Sequence, residues 1–296
     1  MANLKIIRTR IESVASTRQI TSAMKMVAAS KLRRAQSAII RMRPYAAKLR
    51  EFLQNLSVSL DAGDSSSVYS VQRQPEKVLL VVVTSNRGLC GAFNANVIKM
   101  ANNLMADKYA VQYQKGNVSM VTIGKKATEF YRRKNYKVIE SHDDVFNHLT
   151  FENVSAIAEN VMSLFSNKSF DRIEIIYNQF KNAATQKLVT EQFLPVLPPA
   201  KDDTKKKNSK VDYIFEPSKE EIVLDLIPKS LKVQFYKSLL DSYASEHGAR
   251  MTAMHQATDN AKEILKDLNL AYNKARQASI TREILEIVGG AEALKG

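Results

Sequence analysis

The chain has 296 residues, 45% hydrophobic and 25% charged, which excludes global disorder and leaves room for one large domain or two modest ones. Its single cysteine, Cys90, excludes an internal disulfide and any multi-cysteine zinc site, and no run of about eighteen apolar residues is present to cross a membrane. The formal charge of +14 is uneven: residues 1–60 hold twelve Lys or Arg against Glu12 and Glu51, an excess of ten, so this stretch predicts an acidic partner such as nucleic acid, an anionic membrane or an acidic protein surface.

Residues 3–57 read as one long helix. Apolar or small residues recur at Leu4, Ile7, Ile11, Val14, Thr17, Ile20, Met24 and Val27, then at Ala28, Leu32, Ala35, Ile39 and Met42. Steps of three and four make an amphipathic helix or a coiled-coil strand. Pro44 is the one place where a kink is expected. An Arg-rich, acid-poor start also has the look of a mitochondrial transit peptide, but the apolar stripe continues past residue 40, which a removable segment does not need.

Residues 61–74, beginning Asp61-Ala62-Gly63-Asp64, read as a linker. Val78–Val83 is a continuous apolar run, as buried parallel strands are. It leads through Asn86-Arg87-Gly88-Leu89-Cys90-Gly91 into a helix ending near Lys108. A second strand at Val118–Ile123 leads through Gly124 into a helix at Lys125–Arg133. Residues 151–166 are helical, and Arg172–Phe180 and Lys187–Leu194 are strands. This alternation predicts a small α/β domain with a mainly parallel sheet. Pro195–Lys210 reads as a Pro- then Lys-rich loop, Tyr213–Phe215 as an extended piece, and Pro217 as the start of a short helix that Pro228 ends or kinks.

From about Lys229 to Val288 the chain runs without a proline, followed by Gly289-Gly290 and a short tail. As a helix that is on the order of 90 Å, too long for a compact domain to enclose. Its expected seam is Leu231, Phe235, Leu239 and Tyr243, then Met251, Met254, Ala257, Ala261, Ile264, Leu268, Ala271, Ala275 and Ala278. The spacing is again the coiled-coil period. Two such helices at opposite ends of one chain pair antiparallel when the α/β domain is folded as an insertion between them.

Little enzyme chemistry is visible. The G-x-x-G of Gly88 to Gly91 is neither the dinucleotide fingerprint nor a P-loop, and reads as glycines that let a strand turn into a helix. Cys90 reads as a packed thiol, and His142, His148, His247 and His255 have no metal-ligand spacing. The basic first helix lacks the interleaved aromatics of single-strand binders and the segregated basic region of a zipper.

Long blocks at both ends resemble the gamma subunits of the rotary ATP synthases. They are Thr17-Arg18-Gln19-Ile20-Thr21-Ser22-Ala23-Met24-Lys25-Met26-Val27-Ala28-Ala29-Ser30-Lys31-Leu32 at the start, and Ala249-Arg250-Met251-Thr252-Ala253-Met254 and Tyr272–Ala291 at the end; the central Asn86–Gly91 turn matches too. The resemblance implies an α/β fold with a long antiparallel two-helix coiled coil formed by the terminal segments and an inserted Rossmann-like domain. It divides the chain into a helix at 1–60, a foot domain at 75–200 and a C-terminal segment at 211–296. It further implies the central-stalk rotor of a proton-translocating ATP synthase, a non-catalytic subunit that couples c-ring rotation to the three catalytic beta subunits. No catalytic residue, metal or cofactor is expected in it.

Carried over residue by residue, Met24, Lys25, Lys31, Arg33, Arg34, Arg250, Arg276, Gln277, Thr281, Glu283 and Glu286 are implied contacts to the beta subunits, and Tyr213 and Glu216 to the epsilon subunit and c ring. The implied partners are one set of alpha and beta subunits, epsilon and the c ring, with one copy of this chain per complex. No nucleic acid is expected, and the membrane is reached only through partners, at the cytoplasmic face of a bacterial inner membrane. Arg276–Ala291 is expected to extend beyond its partner helix. Small polar residues such as Ser16, Ser22, Thr252 and Thr258 are expected on the outer face, where a rotating shaft needs few anchoring contacts. The rival readings are a basic coiled-coil protein that binds nucleic acid or an anionic membrane, and a nucleotide-using enzyme built on the α/β domain.

Overall fold

The computed structural model describes residues 4–59, 68–196 and 219–293. Its elements are α1 (Leu4–Ser59), a 3-10 turn (Val68–Ser70), β1 (Val78–Val83), α2 (Phe93–Ala106), α3 (Ala110–Gln114), β2 (Val118–Ile123), α4 (Lys125–Arg133), β3 (Val138–His142), α5 (Phe151–Ser166), β4 (Arg172–Phe180), β5 (Gln186–Leu194) and α6 (Lys219–Ala293). Contacts divide the chain into two compact units, Met1–Ala29 with Arg250–Gly296, and Ser30–Ala249.

The second unit is an α/β body. Its five strands lie in the order β3-β2-β1-β4-β5. The first four are parallel, and β5 returns antiparallel beside β4. Strand alternation sorts β1 onto two cores. Leu79, Val81 and Val83 meet α5 and α6 through Val161, Phe165, Leu231, Phe235 and Leu239. Val78, Leu80 and Val82 meet α2 and α4 through Val97, Met105, Ala127 and Tyr131. All six β1 side chains are fully buried. Each such burial contributes about 1.5–3 kcal/mol, so β1 is the centre of the body.

Two elements depart from expectation. The edge strand β3 is unforeseen, because Val-Ile-Glu-Ser-His is only half-buried and offers no clean apolar signal. Of the end or kink expected at Pro228, the end does not occur: α6 begins at Lys219 and runs through the proline. A proline inside a helix costs about 3 kcal/mol, but Ile227 and Leu231 pack against the core on either side of it and hold the helix in place. Pro44 likewise lies inside α1 without ending it.

The first unit is a helix pair with a 3.5-residue seam. On α1 the buried or half-buried positions include Ile7, Ile11, Val14, Arg18, Thr21, Lys25 and Ala28, and on α6 they include Met254, Thr258, Ala261, Leu265, Leu268, Tyr272 and Ala275. This corrects the expected seam. Ile20, Val27 and Ile264 are exposed at 57%, 58% and 46%, and Thr17, Ala271 and Ala278 are exposed too. The larger apolar residues suggested one stripe, while strict alternation of threes and fours admits Arg18, Thr21 and Lys25 in their place. The helices run antiparallel, and Thr258 donates to Thr21 across the seam at 2.9 Å. Thr258 is therefore turned inward at 8% exposure, not outward as expected.

Candidate partner-contact site

Three surfaces carry the expected contact residues. In the α/β body, Lys31, Arg33 and Arg34 are exposed on α1. None of the three forms an ion pair among the described residues. Arg33 and Arg34, with Ser30, Ser37 and Arg41, line a shallow groove of about 290 Å³. The groove is held by local bonds: Ser37 Oγ donates to the Arg33 carbonyl at 3.0 Å and Arg41 Nε to the Ser37 carbonyl at 3.3 Å. Unpaired guanidinium groups in a row favour carboxylate or phosphate partners.

In the helix pair, Met24 and Lys25 are half-buried beside the seam, and Arg250 is only 8% exposed. Lys25 of α1 acts on a charged cluster of α6. The Lys262 ammonium, bonded to Asp259 at 3.0 Å, holds the Asp259 carboxyl below its usual range, with His255 and Lys25 adding to the effect. His255 Nδ1 lies 3.0 Å from the same carboxylate. The seam is therefore polar here and apolar toward Leu265 and Leu268, and polar layers of this kind fix register in paired helices.

Arg276, Gln277, Thr281, Glu283 and Glu286 are all exposed at the end of α6. Around them Ile280, Ile284, Leu285, Ile287 and Val288 stand 48–71% exposed. Pairing Thr21 with Thr258 places Leu4, the first described residue of α1, opposite about Ala275, because each step along one antiparallel strand is a step back along the other. The helix continues through Gly289 and Gly290 to Ala293, past the end expected at Val288. An apolar row left bare at a helix end is a contact surface awaiting cover. Tyr213 and Glu216, with the Lys-rich loop and the extended piece near them, lie outside the described residues.

Several polar groups at the carboxyl ends of the strands are bonded within the chain. In parallel α/β sheets, ligands sit at the carboxyl ends of the strands where strand order reverses, and anions sit at helix N-termini. Here the first N–H groups of α4 are already taken: Lys125 N donates to Asn86 Oδ1 (3.0 Å), Lys126 N to the Ser85 carbonyl (3.2 Å) and Ala127 N to Thr84 Oγ1 (2.9 Å). The turn after β1 uses Gly91 at φ +60°, and Leu89, not Gly88, takes the second left-handed position. Between β1 and β4, Asn178 reaches the Phe93 carbonyl at 3.5 Å and Ser245 of α6 donates to the Asn178 carbonyl at 2.9 Å. Gly248 brings α6 so close to the β4–β5 connection that a Cβ there would lie 3.0 Å from the Ala183 carbonyl oxygen. Cys90 is buried at 1% exposure and accepts from Asn94 Nδ2 at 3.3 Å, a packed thiol. No group of His, Cys, Asp and Glu able to hold a metal occurs among the described residues.

Three buried carboxylates, Glu174, Asp241 and Glu246, were missed at the sequence level. Glu174 on β4 is bound by Lys108 and, at 2.5 Å, by the Tyr109 hydroxyl, and burial followed by that bond pushes Tyr109 far above the usual phenol range. Asp241 lies in the enclosed part of α6 at 5% exposure. The only local signal for Asp241 is that the run Ser238 to His247 is too polar for an ordinary core helix.

Comparison with known proteins agrees along the whole length. The ATP synthase family model matches residues 3–294. The ATP synthase gamma chain of Flavobacterium johnsoniae is 62% identical over 296 residues, covering 100% of both chains. That of Chlorobaculum tepidum is 46% identical over 295 residues, again covering 100% of both. Among solved structures, a chain of the Euglena gracilis mitochondrial ATP synthase rotor shares the fold at TM-score 0.66 and 22% identity, covering 94% of this chain and 98% of that one. A chain of the Tetrahymena thermophila mitochondrial ATP synthase central stalk and c ring aligns at TM-score 0.58 and 25% identity, covering 80% of this chain and 99% of that one.

Proposed function

This chain belongs to the ATP synthase gamma-chain family, and from that premise we propose that it is the central-stalk rotor subunit, coupling c-ring rotation to sequential conformational change at three catalytic beta subunits. The observation that carries the reading is the full-length likeness to gamma chains, joined to an antiparallel helix pair whose longer member ends in a bare apolar tip. A shaft can shift a beta site only by contacting its conformations unequally, which an asymmetric two-helix rod with an unpaired end is built to do. The rival readings, a nucleic-acid or anionic-membrane binder and a nucleotide-using enzyme, find no support in this family.

The partners are the alpha and beta subunits, epsilon and the c ring, with one copy of this chain per complex. The complex sits at the cytoplasmic face of a bacterial inner membrane; no described helix of this chain is long and apolar enough to cross it. In this reading the segments 1–60 and 211–296 supply the shaft and 75–200 the foot. Met24, Lys25, Lys31, Arg33 and Arg34 meet acidic surface on the beta subunits, with Arg250 behind them. Arg276, Gln277, Thr281, Glu283 and Glu286 meet the upper part of the head, and Tyr213 and Glu216 meet epsilon and the c ring.

Co-expression with matched alpha and beta subunits, followed by gel filtration and an ATPase assay, tests the assignment. A stoichiometric complex that hydrolyses ATP is expected, and its absence would overturn the reading. Met24→Lys is expected to impair coupling of ATP turnover to proton transport in vesicles more than it impairs assembly.

A further inference from the structure

Between Lys108 and Ile139 the chain carries eight Lys or Arg and a single carboxylate, Glu129. Glu129 is taken by the Lys126 ammonium at 2.7 Å, and Lys108 is taken by the buried Glu174. Strands β2 and β3 run parallel, so the turns that feed them lie at one end of the sheet. Those turns hold Lys115 before β2, and Lys134 and Lys137 before β3, with Arg133 closing α4. All four are exposed, and none forms an ion pair among the described residues. Tyr113 of α3 stacks on Tyr136 of the second turn, with centroids 6.1 Å apart, and ties the two turns together. The Met120 N–H donates to the Lys137 carbonyl at 2.9 Å and fixes the same junction. Val111 and Tyr113 stand exposed beside these cations.

The carboxylates at this end of the sheet lie toward β1 and β4. Asp171 Oδ2 accepts from the backbone N–H groups of Glu76 and Lys77, and Asp107 caps α2. Glu76 shares with Lys115 a hollow of about 380 Å³, which has no second cation in its lining. Cations suit the end of a helix, which accounts for Arg133 and Lys134. It accounts for neither Lys137 at the start of β3 nor the bare Tyr113 and Val111.

We propose that this end of the α/β body is a docking surface for the anionic headgroups of a phospholipid bilayer. A single phosphate needs converging donors, whereas these cations are spread over two turns, as a diffuse anionic surface requires. Clustered Lys and Arg draw a chain to such a surface, and tyrosine settles where water meets apolar matter. The attraction is screened and has no fixed register, so it would let the body turn over the surface it touches. This goes beyond the rotor reading, in which the chain reaches the membrane only through partners, and it does not involve the basic α1.

The test is flotation of the full chain with phosphatidylcholine vesicles, with and without about a third phosphatidylglycerol, at low and raised salt. Uptake on the anionic vesicles alone, falling as salt rises, is expected. Lys115→Gln, Lys134→Gln and Lys137→Gln together should lower partitioning about a hundredfold, at about fivefold for each cation. Removing equal charge from α1 by Lys31→Gln, Arg33→Gln and Arg34→Gln should lower it by less than about fivefold. Equal losses in the two triple variants, or equal uptake on neutral vesicles, would overturn the proposal. So would retention on poly-glutamate with no uptake on anionic vesicles, which would assign the surface to an acidic protein. Should the first variant fail to fold, hydrogen exchange of the wild-type chain on anionic vesicles decides. Slowed exchange at residues 111–117 and 133–139 is expected, and slowing confined to other segments overturns the proposal. A failed vesicle test leaves the rotor assignment standing, because that assignment rests on assembly with alpha and beta.

Discussion

Within α6, the stretch from Leu231 to Gly248 is buried on nearly every side, whereas the stretch from Ile280 to Ala293 is exposed throughout. Between them, from Met254 to Ala275, only one stripe is covered. All three are continuous helix. The difference teaches that helix formation and helix stabilisation come from different sources here. The enclosed stretch is held by aromatic and aliphatic packing, including Phe193 against Phe235 at 5.4 Å and Phe146 stacked on Tyr243 at 5.8 Å. The middle stretch is held by a narrow seam against α1. The tip presents its apolar residues to solvent.

Substitutions along α6 should therefore fall in a steep order. Phe235→Ala, at a fully buried position of the core, should destabilise the isolated chain by about 3–5 kcal/mol in denaturant unfolding. Leu265→Ala removes one side of the seam at 9% exposure and should cost about 2–3 kcal/mol. Thr258→Ala deletes the bond to Thr21 and should cost about 1 kcal/mol, with a Thr21→Ala, Thr258→Ala cycle showing that the two residues are coupled. Leu285→Ser should change the chain's own stability by less than about 0.5 kcal/mol while weakening its retention in a complex with alpha and beta on gel filtration. A seam substitution as costly as the core one, or a tip substitution that unfolds the free chain, would erase the comparison.

Much of this was legible in the sequence. The strands β1, β2, β4 and β5 are apolar or alternating runs bounded by turns, and the terminal helices follow from uninterrupted periodicity. The seam was misread because residue size competed with period: Ile20 looked like a better core residue than Thr21 beside it, yet it is exposed. At Pro228 the helix does not end because a local cost is offset by packing that depends on the folded sheet. Asp241 and Glu174 were invisible because burial of a carboxylate is decided by elements distant in sequence. The contacts proposed for the tip were legible only through resemblance, since those residues stand exposed among the described residues.

Rotation is the central claim, and it can be watched directly. Cys90 is buried, so Lys134→Cys on the exposed surface of the foot offers a selective attachment point for a bead. With the alpha–beta head fixed to a surface and ATP supplied, the bead should turn steadily in one direction. A bead that stays still while the same complexes hydrolyse ATP would contradict the account.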